Sequence, residues 1–226
     1  VLPPAARAYL LRAPALADGA PLLTASTQVG LATSGDLRGL TAVSCGAAAA
    51  EAWLVGGSTS TGNRSRLLLA NPMSLPAVVD LALLGPQGPV DAPNADGIVV
   101  PAGRQVAVAL DALAPGVDQL AVHVVARSGR VAATMFDTVL RGLVPGGTDD
   151  VAPAAEPARR VVVPGVALTA DQGAGRTVVR VAVPGTEDAV VSVTLLGPAG
   201  RVVVPGGVLA VKGGSVAEVP LTLQGG

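Results

Sequence analysis

The sequence is poor in the residue types on which most catalytic and metal sites depend. It contains one histidine, His123, one cysteine, Cys45, and three aromatic residues, Tyr9, Trp53 and Phe136. A single cysteine cannot form an internal disulfide, and one histidine with one cysteine falls short of the usual zinc ligand sets. We therefore predict no cofactor and no metal, and a hydrophobic core built from Val, Leu and Ala.

Charge and hydropathy argue against two classes of partner. Fifteen basic and 16 acidic residues give a net charge of −1, and no basic stripe is present that could neutralise a run of phosphates. Nucleic acid is therefore excluded as an expected partner. No apolar run reaches the roughly 18 to 20 residues of a spanning helix, so we predict no membrane span within this segment. The start at Val1 leaves room for a preceding signal peptide, anchor or domain.

The dominant feature that is present is an internal repeat. The stretch from Leu69 to Val90, LANPMSLPAVVDLALLGPQGPV, returns without a gap from Val181 to Val202 as VAVPGTEDAVVSVTLLGPAGRV. Such a self-match indicates a duplicated structural unit. A second echo, LRGL, begins at Leu37 and again at Leu140, each time after a hairpin-like stretch, which predicts that the repeat unit begins with a hairpin.

Both copies of the long repeat show strand periodicity. Val79, Leu81 and Leu83 alternate with less apolar residues, and Val191, Val193 and Leu195 do so in the second copy. Pro and Gly separate the segments, as is typical of short strands joined by turns. One helical turn is predicted around Asp111, and hairpin strands at 120–124 and 131–136. The composition of residues 46–52 predicts either two short helical turns or an irregular segment that leads into a strand.

Short strands with regular turn signals predict an all-β fold, two tandem antiparallel β-sandwich (Ig-like) domains related by internal duplication. The first domain is predicted at residues 1–150, including a loose N-terminal arm, and the second at residues 151–226. Residues 146–158 are the predicted linker. The chain ends where the second copy would begin its hairpin, so we expect the second domain to be incomplete or to be completed by another strand.

The repeat, together with WLVGG at 53–57, GDLRGL at 35–40, IVVPAG at 98–103 and LAVHVVARSGRVAA at 120–133, resembles a known family. It is similar to the uncharacterised exported actinobacterial proteins grouped as domain of unknown function 5719. The resemblance implies an extracytoplasmic location, secreted or anchored by a segment outside this chain, and a protein partner in the cell envelope. It also implies an association with a membrane glycosyltransferase. The family offers no catalytic residues to transfer.

Single candidate residues each favour a structural role. His123 has no local Asp and no G-x-S-x-G elbow accompanies it, so a Ser-His-Asp mechanism is disfavoured. Cys45 is predicted to be a small buried hydrophobe. Asp149-Asp150 is predicted to be a solvated pair in a loop rather than a calcium site, and Trp53 is predicted to lie in the core. Arg38 and Arg141, in the LRGL copies, are predicted at equivalent corners.

The glycine-rich stretch GGSTSTGN at 56–63 is the first candidate for a binding loop. Gly57 and Gly62 match the glycines of a Walker phosphate loop, but Asn63 occupies the lysine position, so the phosphate function is disfavoured. Loops at the end of a sandwich commonly carry recognition. The predicted binding residues are Gly57, Ser58, Thr59, Ser60, Thr61 and Asn63.

The function predicted from these features is a non-catalytic extracytoplasmic scaffold or partner-binding module of an actinobacterial cell-envelope protein. No catalytic residue is assigned, and we do not expect an enzyme. Two alternatives stay open, a glycan-binding module and a carbohydrate-handling enzyme. The scarcity of aromatic platforms counts against the first, and the missing catalytic sets count against the second.

Overall fold

The computed structural model describes residues 9–11, 25–166, 168, 177–198 and 200–221. In these ranges the chain forms fifteen strands and one four-residue helix, α1 (Leu110–Leu113), which ends just before Pro115 as predicted. The predicted all-β class is confirmed, since several antiparallel sheets pack face to face. Within the same ranges, no helix has the length and hydropathy needed to cross a bilayer.

The first unit, residues 51–151, is a sandwich of two antiparallel sheets. One sheet has the order β3-β9-β5-β6, with β7 also paired to β5, and the other has the order β11-β10-β4-β8. The strands are β3 (Glu51–Val55), β4 (Asn63–Ala70), β5 (Ala77–Gly85), β6 (Gly88–Val90), β7 (Ile98–Val100), β8 (Gln105–Ala109), β9 (Ala121–Ser128), β10 (Ala132–Arg141) and β11 (Val144–Val151).

The core of the first unit follows from the alternation seen in the sequence. Side chains at every second position of a strand point to one face, and Val79, Leu81 and Leu83 on β5 all point into the sandwich and are at most 5% exposed. Leu67 and Leu69 on β4 are fully buried opposite them. The β9–β10 hairpin, predicted from residues 120–136, covers this core because β9 pairs with β5 and β10 pairs with β4.

A two-stranded hairpin precedes the first unit, formed by β1 (Thr27–Ala32) and β2 (Gly39–Ser44). It packs beside β11, where the Thr41 hydroxyl bonds Asp150 and Gly39 lies tightly against Thr148. Val29 and Leu31 on β1 point to solvent. Most of the hairpin predicted before Gln28 lies outside the described residues.

The second unit, residues 177–221, repeats half of the first. It consists of β12 (Val178–Val183), β13 (Ala189–Gly197), β14 (Gly200–Val211) and β15 (Ser215–Pro220), with β12 paired to β15 and β13 to β14. The registers agree between units once a one-residue gap is placed after the 22-residue match. Leu67 faces Val108 as Val179 faces Val219, and Ala77 faces Val100 as Ala189 faces Val211. The duplication is therefore structural as well as sequential.

The two units contact each other through the outer face of the β3-β9-β5-β6 sheet. Leu84, Ala121 and Val216 form a small buried cluster there. Trp53, Val55 and Ala182 pack around it, so Trp53 lies half-buried between the two units instead of inside a core. Burial of this patch holds the second unit against one sheet of the first unit.

Three predictions about local structure were wrong. Residues 144–151 form β11, so Asp149 and Asp150 lie on a strand and the predicted linker begins only after Val151. The two LRGL copies lie near hairpin turns at different offsets, because Gly39 begins β2 whereas Gly142 lies in the turn after β10. Cys45 is exposed and not buried, and it directly follows the end of β2.

Candidate functional site

The predicted binding loop connects β3 to β4 at one end of the first sandwich. Thr59 is buried, and its hydroxyl donates to the carbonyl oxygen of Ala114 while accepting the backbone N–H of Val117. The Ser58 hydroxyl donates to the Val117 carbonyl oxygen at 3.1 Å. These hydroxyls therefore tie the loop to the segment that follows α1, a role that leaves them little capacity for a ligand.

The remaining polar groups of the loop also bond within it. The Ser65 hydroxyl accepts the Ser58 N–H and donates to the Ser58 carbonyl oxygen, both at 2.9 Å. The Asn63 side-chain amide donates to the Ser60 hydroxyl at 3.0 Å. Thr61 is the exposed member of the predicted set. The geometry is that of an internally bonded connection whose tip alone faces solvent.

Two glycines make this path possible. Gly57 and Gly62 have φ angles of 82° and 87°, where a side chain is strained. A Cβ on Gly62 would also overlap the carbonyl oxygen of Leu140, and one on Gly57 would lie 2.7 Å from the Ser65 hydroxyl. The glycines that match a Walker loop are thus explained by close packing against the neighbouring strands.

Arg180 on β12 brings the second unit to this loop. Its Nη1 donates to the Gly57 carbonyl oxygen at 2.5 Å, and its Nε and Nη2 donate to Glu218 Oε1 at 3.0 and 2.8 Å. Both side chains of the ion pair are mostly buried, with exposures of 17% for Arg180 and 14% for Glu218. Each charge of this buried pair therefore depends on the other for compensation more than the charges of a surface pair do.

A buried carboxylate, Asp137, lies close to Arg180. Burial raises the pKa of Asp137 to about 6, and the charges of Asp149 and Asp150 add to the rise, whereas a hydrogen bond with Ser65 and the charge of Arg180 lower it. Among the described residues, its Oδ1 is buried without a hydrogen-bond partner. Burial also raises the pKa of Asp150. The strand pairing thus places Asp137 opposite Asp149, a proximity that the sequence did not indicate.

His123 has a carboxylate partner that sequence reasoning missed. Trp53 and His123 face each other across β3 and β9, with ring centroids 4.1 Å apart and planes 7° from parallel. His123 Nε2 lies 2.7 Å from Glu51 Oε1. This contact follows from the register of β3 with β9, in which Glu51 is the diagonal neighbour of His123. It could have been predicted only if that register had been known. Among the described residues, neither neighbour is a nucleophile, so this arrangement lacks the group that a triad needs.

A groove of about 320 Å³ lies beside this stack. Its walls are β3, including Glu51 and Trp53, and the chain after β11, including Pro153 and Glu156. The Ala154 N–H donates to the Trp53 carbonyl oxygen at 2.7 Å, which attaches the linker to the edge of β3. In the described part of the chain, no three His, Cys, Asp or Glu side chains are grouped so that they could hold a metal ion.

The sequence profile of a family described as "Family of unknown function (DUF5719)" matches residues 3–224. The chain belongs to this family. No curated protein gives a significant match. Among solved structures, the chain is similar to Thermotoga maritima 1070, with 12% identity, a TM-score of 0.36, and coverage of 48% of this chain and 95% of that chain.

Proposed function

We propose that the chain is a non-catalytic scaffold or partner-binding module that acts outside the cytoplasm in a bacterial cell envelope, with a membrane glycosyltransferase as its partner. The proposal rests on the surface that the second unit leaves uncovered and on the resemblance to exported actinobacterial proteins. In the described ranges, the histidine, the buried carboxylates and the cysteine are not arranged as a nucleophile with its base, which favours binding over catalysis.

One observation carries the binding role. Val190 and Leu196 on β13, and Val203 and Val208 on β14, share the outer face of one sheet because Ser192 pairs with Val208 and Thr194 with Val203. Their exposures are 78%, 67%, 86% and 69%. Ser192 and Thr194 lie between them on the same face. Exposed apolar side chains grouped on one face of a sheet are typical of a site that another protein covers. We name these four residues the apolar face.

The test is affinity purification of the tagged full-length protein from native envelope extracts. We expect a membrane glycosyltransferase to co-purify, and Leu196→Asp to reduce its recovery at least tenfold because a charge would be buried at the interface. Leu143→Asp, at an exposed leucine in the turn between β10 and β11, is the matched control. Equal recovery with wild type, Leu196→Asp and an unrelated bait would contradict the proposal.

The Trp53–His123 stack favours a second candidate, a glycan-binding module. Aromatic faces bind sugar rings, and this one borders the groove beside the linker. His123 covers one face of the Trp53 ring, and Trp53 also lines the groove. Binding to a cell-wall glycan array that is lost in Trp53→Ala would support this function, whereas no binding by the wild-type protein would contradict it.

A further inference from the structure

The second unit has two strands whose counterparts in the first unit are paired on both edges. In the first unit, β4 lies between β8 and β10, and β5 lies between β7 and β9. Their copies, β12 and β13, each have one partner among the described residues, β15 and β14. In this part of the chain, the edges that correspond to the positions of β10 and β9 have no partner strand, and an edge without a partner presents backbone N–H and C=O groups to which another strand can bond.

The alternation of hydrogen bonds between β12 and β15 identifies which backbone groups of β12 face the edge opposite β15. Residues opposite each other in an antiparallel pair alternate between bonded and non-bonded, and the Leu221 N–H donates to the Thr177 carbonyl oxygen at 2.8 Å. Val179 and Val181 therefore bond to β15, whereas the N–H groups of Val178 and Arg180 point to the open edge.

The first strand of the N-terminal hairpin has a matching free edge. The Cys45 N–H donates to the Ser26 carbonyl oxygen at 2.8 Å, so Gln28 and Gly30 bond to β2. By the same alternation, Val29 and Leu31 direct their N–H groups away from β2. Both also expose their side chains, with exposures of 65% and 71%. A strand that has one edge without a partner and exposes apolar side chains is a pairing site for another strand.

The internal echo relates β1 to the strand that β12 lacks. β1 and β10 are each the first strand of an antiparallel hairpin with an LRGL sequence near its turn, although the two copies lie at different offsets. The second strands of the two hairpins, β2 and β11, lie beside each other. β10 pairs antiparallel with β4. Since β12 is the copy of β4, the pairing already made inside the first unit is the template for β1 with β12.

We propose that the β1–β2 hairpin of one copy of this chain pairs, through β1, with the open edge of β12 in a second copy. This inference deepens the proposed binding role by naming a second copy as a partner, and it uses a different surface from the apolar face. Within the described ranges neither edge has a partner strand, and β2 is held beside β11 of its own chain. The pairing is heterologous, so successive copies join head to tail into a ring or an open chain.

Two proline substitutions test the two edges separately. Proline removes a backbone N–H, and Val29→Pro and Val178→Pro each do so on an open edge without touching a bond of the existing pairs. Each variant keeps the other edge intact. All proteins carry Cys45→Ser, because the exposed thiol would otherwise permit disulfide dimers. Ala155→Pro, in the exposed linker, is the control for proline itself, and circular dichroism checks that each variant is folded.

Light scattering coupled to gel filtration, from micromolar to millimolar protein, gives the readout. We expect the wild type and Ala155→Pro to grow with concentration to at least twice the 22.0 kDa chain mass. Each proline variant alone should stay monomeric. An equimolar mixture of Val29→Pro and Val178→Pro should form a dimer that does not grow further, because one open edge of each type remains functional.

Three results would overturn the proposal. A wild type that stays monomeric throughout would mean that β1 pairs within its own chain or not at all. Association that survives in Val29→Pro or Val178→Pro alone would place the interface elsewhere. A mixture that stays monomeric would remove the head-to-tail arrangement. None of these results bears on recovery of a glycosyltransferase through the apolar face, so the two proposals fail separately.

Discussion

The same sequence pattern is buried in one unit and half-exposed in the other. Val79, Leu81 and Leu83 on β5 are at most 5% exposed, whereas their copies Val191, Val193 and Leu195 on β13 are only partly buried. The difference lies in what covers them, since the β9–β10 hairpin closes the first unit and the described part of the second has no counterpart. Strand pattern therefore specifies a face to bury, and the rest of the chain decides whether it is buried.

The largest expected effect comes from a matched pair of leucines. Leu83→Ala should lower the free energy of unfolding by about 3–5 kcal/mol, because it leaves a cavity in a packed core, and Leu195→Ala by about 1 kcal/mol, because its site is already open to water. Urea unfolding of each variant, followed by Trp53 fluorescence and circular dichroism, makes the comparison. Equal losses would mean that the two faces are equally covered.

The contact between the units depends on Arg180. Arg180→Met should lower the free energy of unfolding by about 2–4 kcal/mol, since the buried Glu218 carboxylate loses the positive charge that compensates it. Adding Glu218→Gln should recover part of this loss, because it removes the negative charge that Arg180 compensated. Urea unfolding and the rate of proteolysis in the linker at 152–166 measure both. A double variant that is no more stable than Arg180→Met would show that the ion pair does not stabilise this contact.

Asp137 makes the first unit sensitive to pH. Its folded pKa of about 6 lies above the ordinary value of 3.8, so the folded state binds this proton more tightly. The stabilisation is complete below about pH 4 and is lost as the pH rises through 6. Asp137→Asn should therefore raise stability by about 1–3 kcal/mol at pH 7 and by little at pH 4.

Urea unfolding at the two pH values tests this prediction, with Asp36→Asn as the control because Asp36 lies exposed in the turn between β1 and β2. A stability at pH 7 that falls in Asp137→Asn would show that the carboxylate, with Arg180 nearby, stabilises the fold in its charged form.

The smallest expected effect separates the inner and outer hydroxyls of the loop. Thr59→Val should cost about 1–2 kcal/mol, since the Val117 N–H and the Ala114 carbonyl oxygen each lose a partner. Thr61→Val, at the exposed tip, should change stability by less than about 0.5 kcal/mol. Thermal unfolding compares the two variants, and similar losses would contradict the inward orientation of Thr59.

Much of the fold could be predicted because its signals are local. The alternation on β5 and β13, the proline after α1 and the hairpin of β9 and β10 each lie within a few consecutive residues. β11 was missed because GGTDD has low strand propensity and forms a strand only by pairing with β10. Its register with Asp137 is what brings Asp149 near that carboxylate.

The candidate site was less predictable because its contacts cross the chain. The glycines and hydroxyls of the loop indicate a turn, but nothing in the loop itself shows that Thr59 points inward to residues 114–117. Likewise, Glu51 meets His123 only through the register of β3 with β9. Pairing between distant strands, and not residue type, determines which of these side chains are available to a ligand.

The central claim, that the second unit is an uncovered copy of the first, is tested most directly by amide hydrogen exchange followed residue by residue in NMR spectra. In dilute protein, the account predicts slow exchange on β5 and β4, and fast exchange at Val178 and Arg180 with slower exchange at Val179 and Val181. In concentrated protein, Val178 and Arg180 should become protected while β5 does not change. In dilute protein, equal protection of β5 and β13, together with equal protection of alternate residues from Val178 to Val181 along β12, would contradict the account.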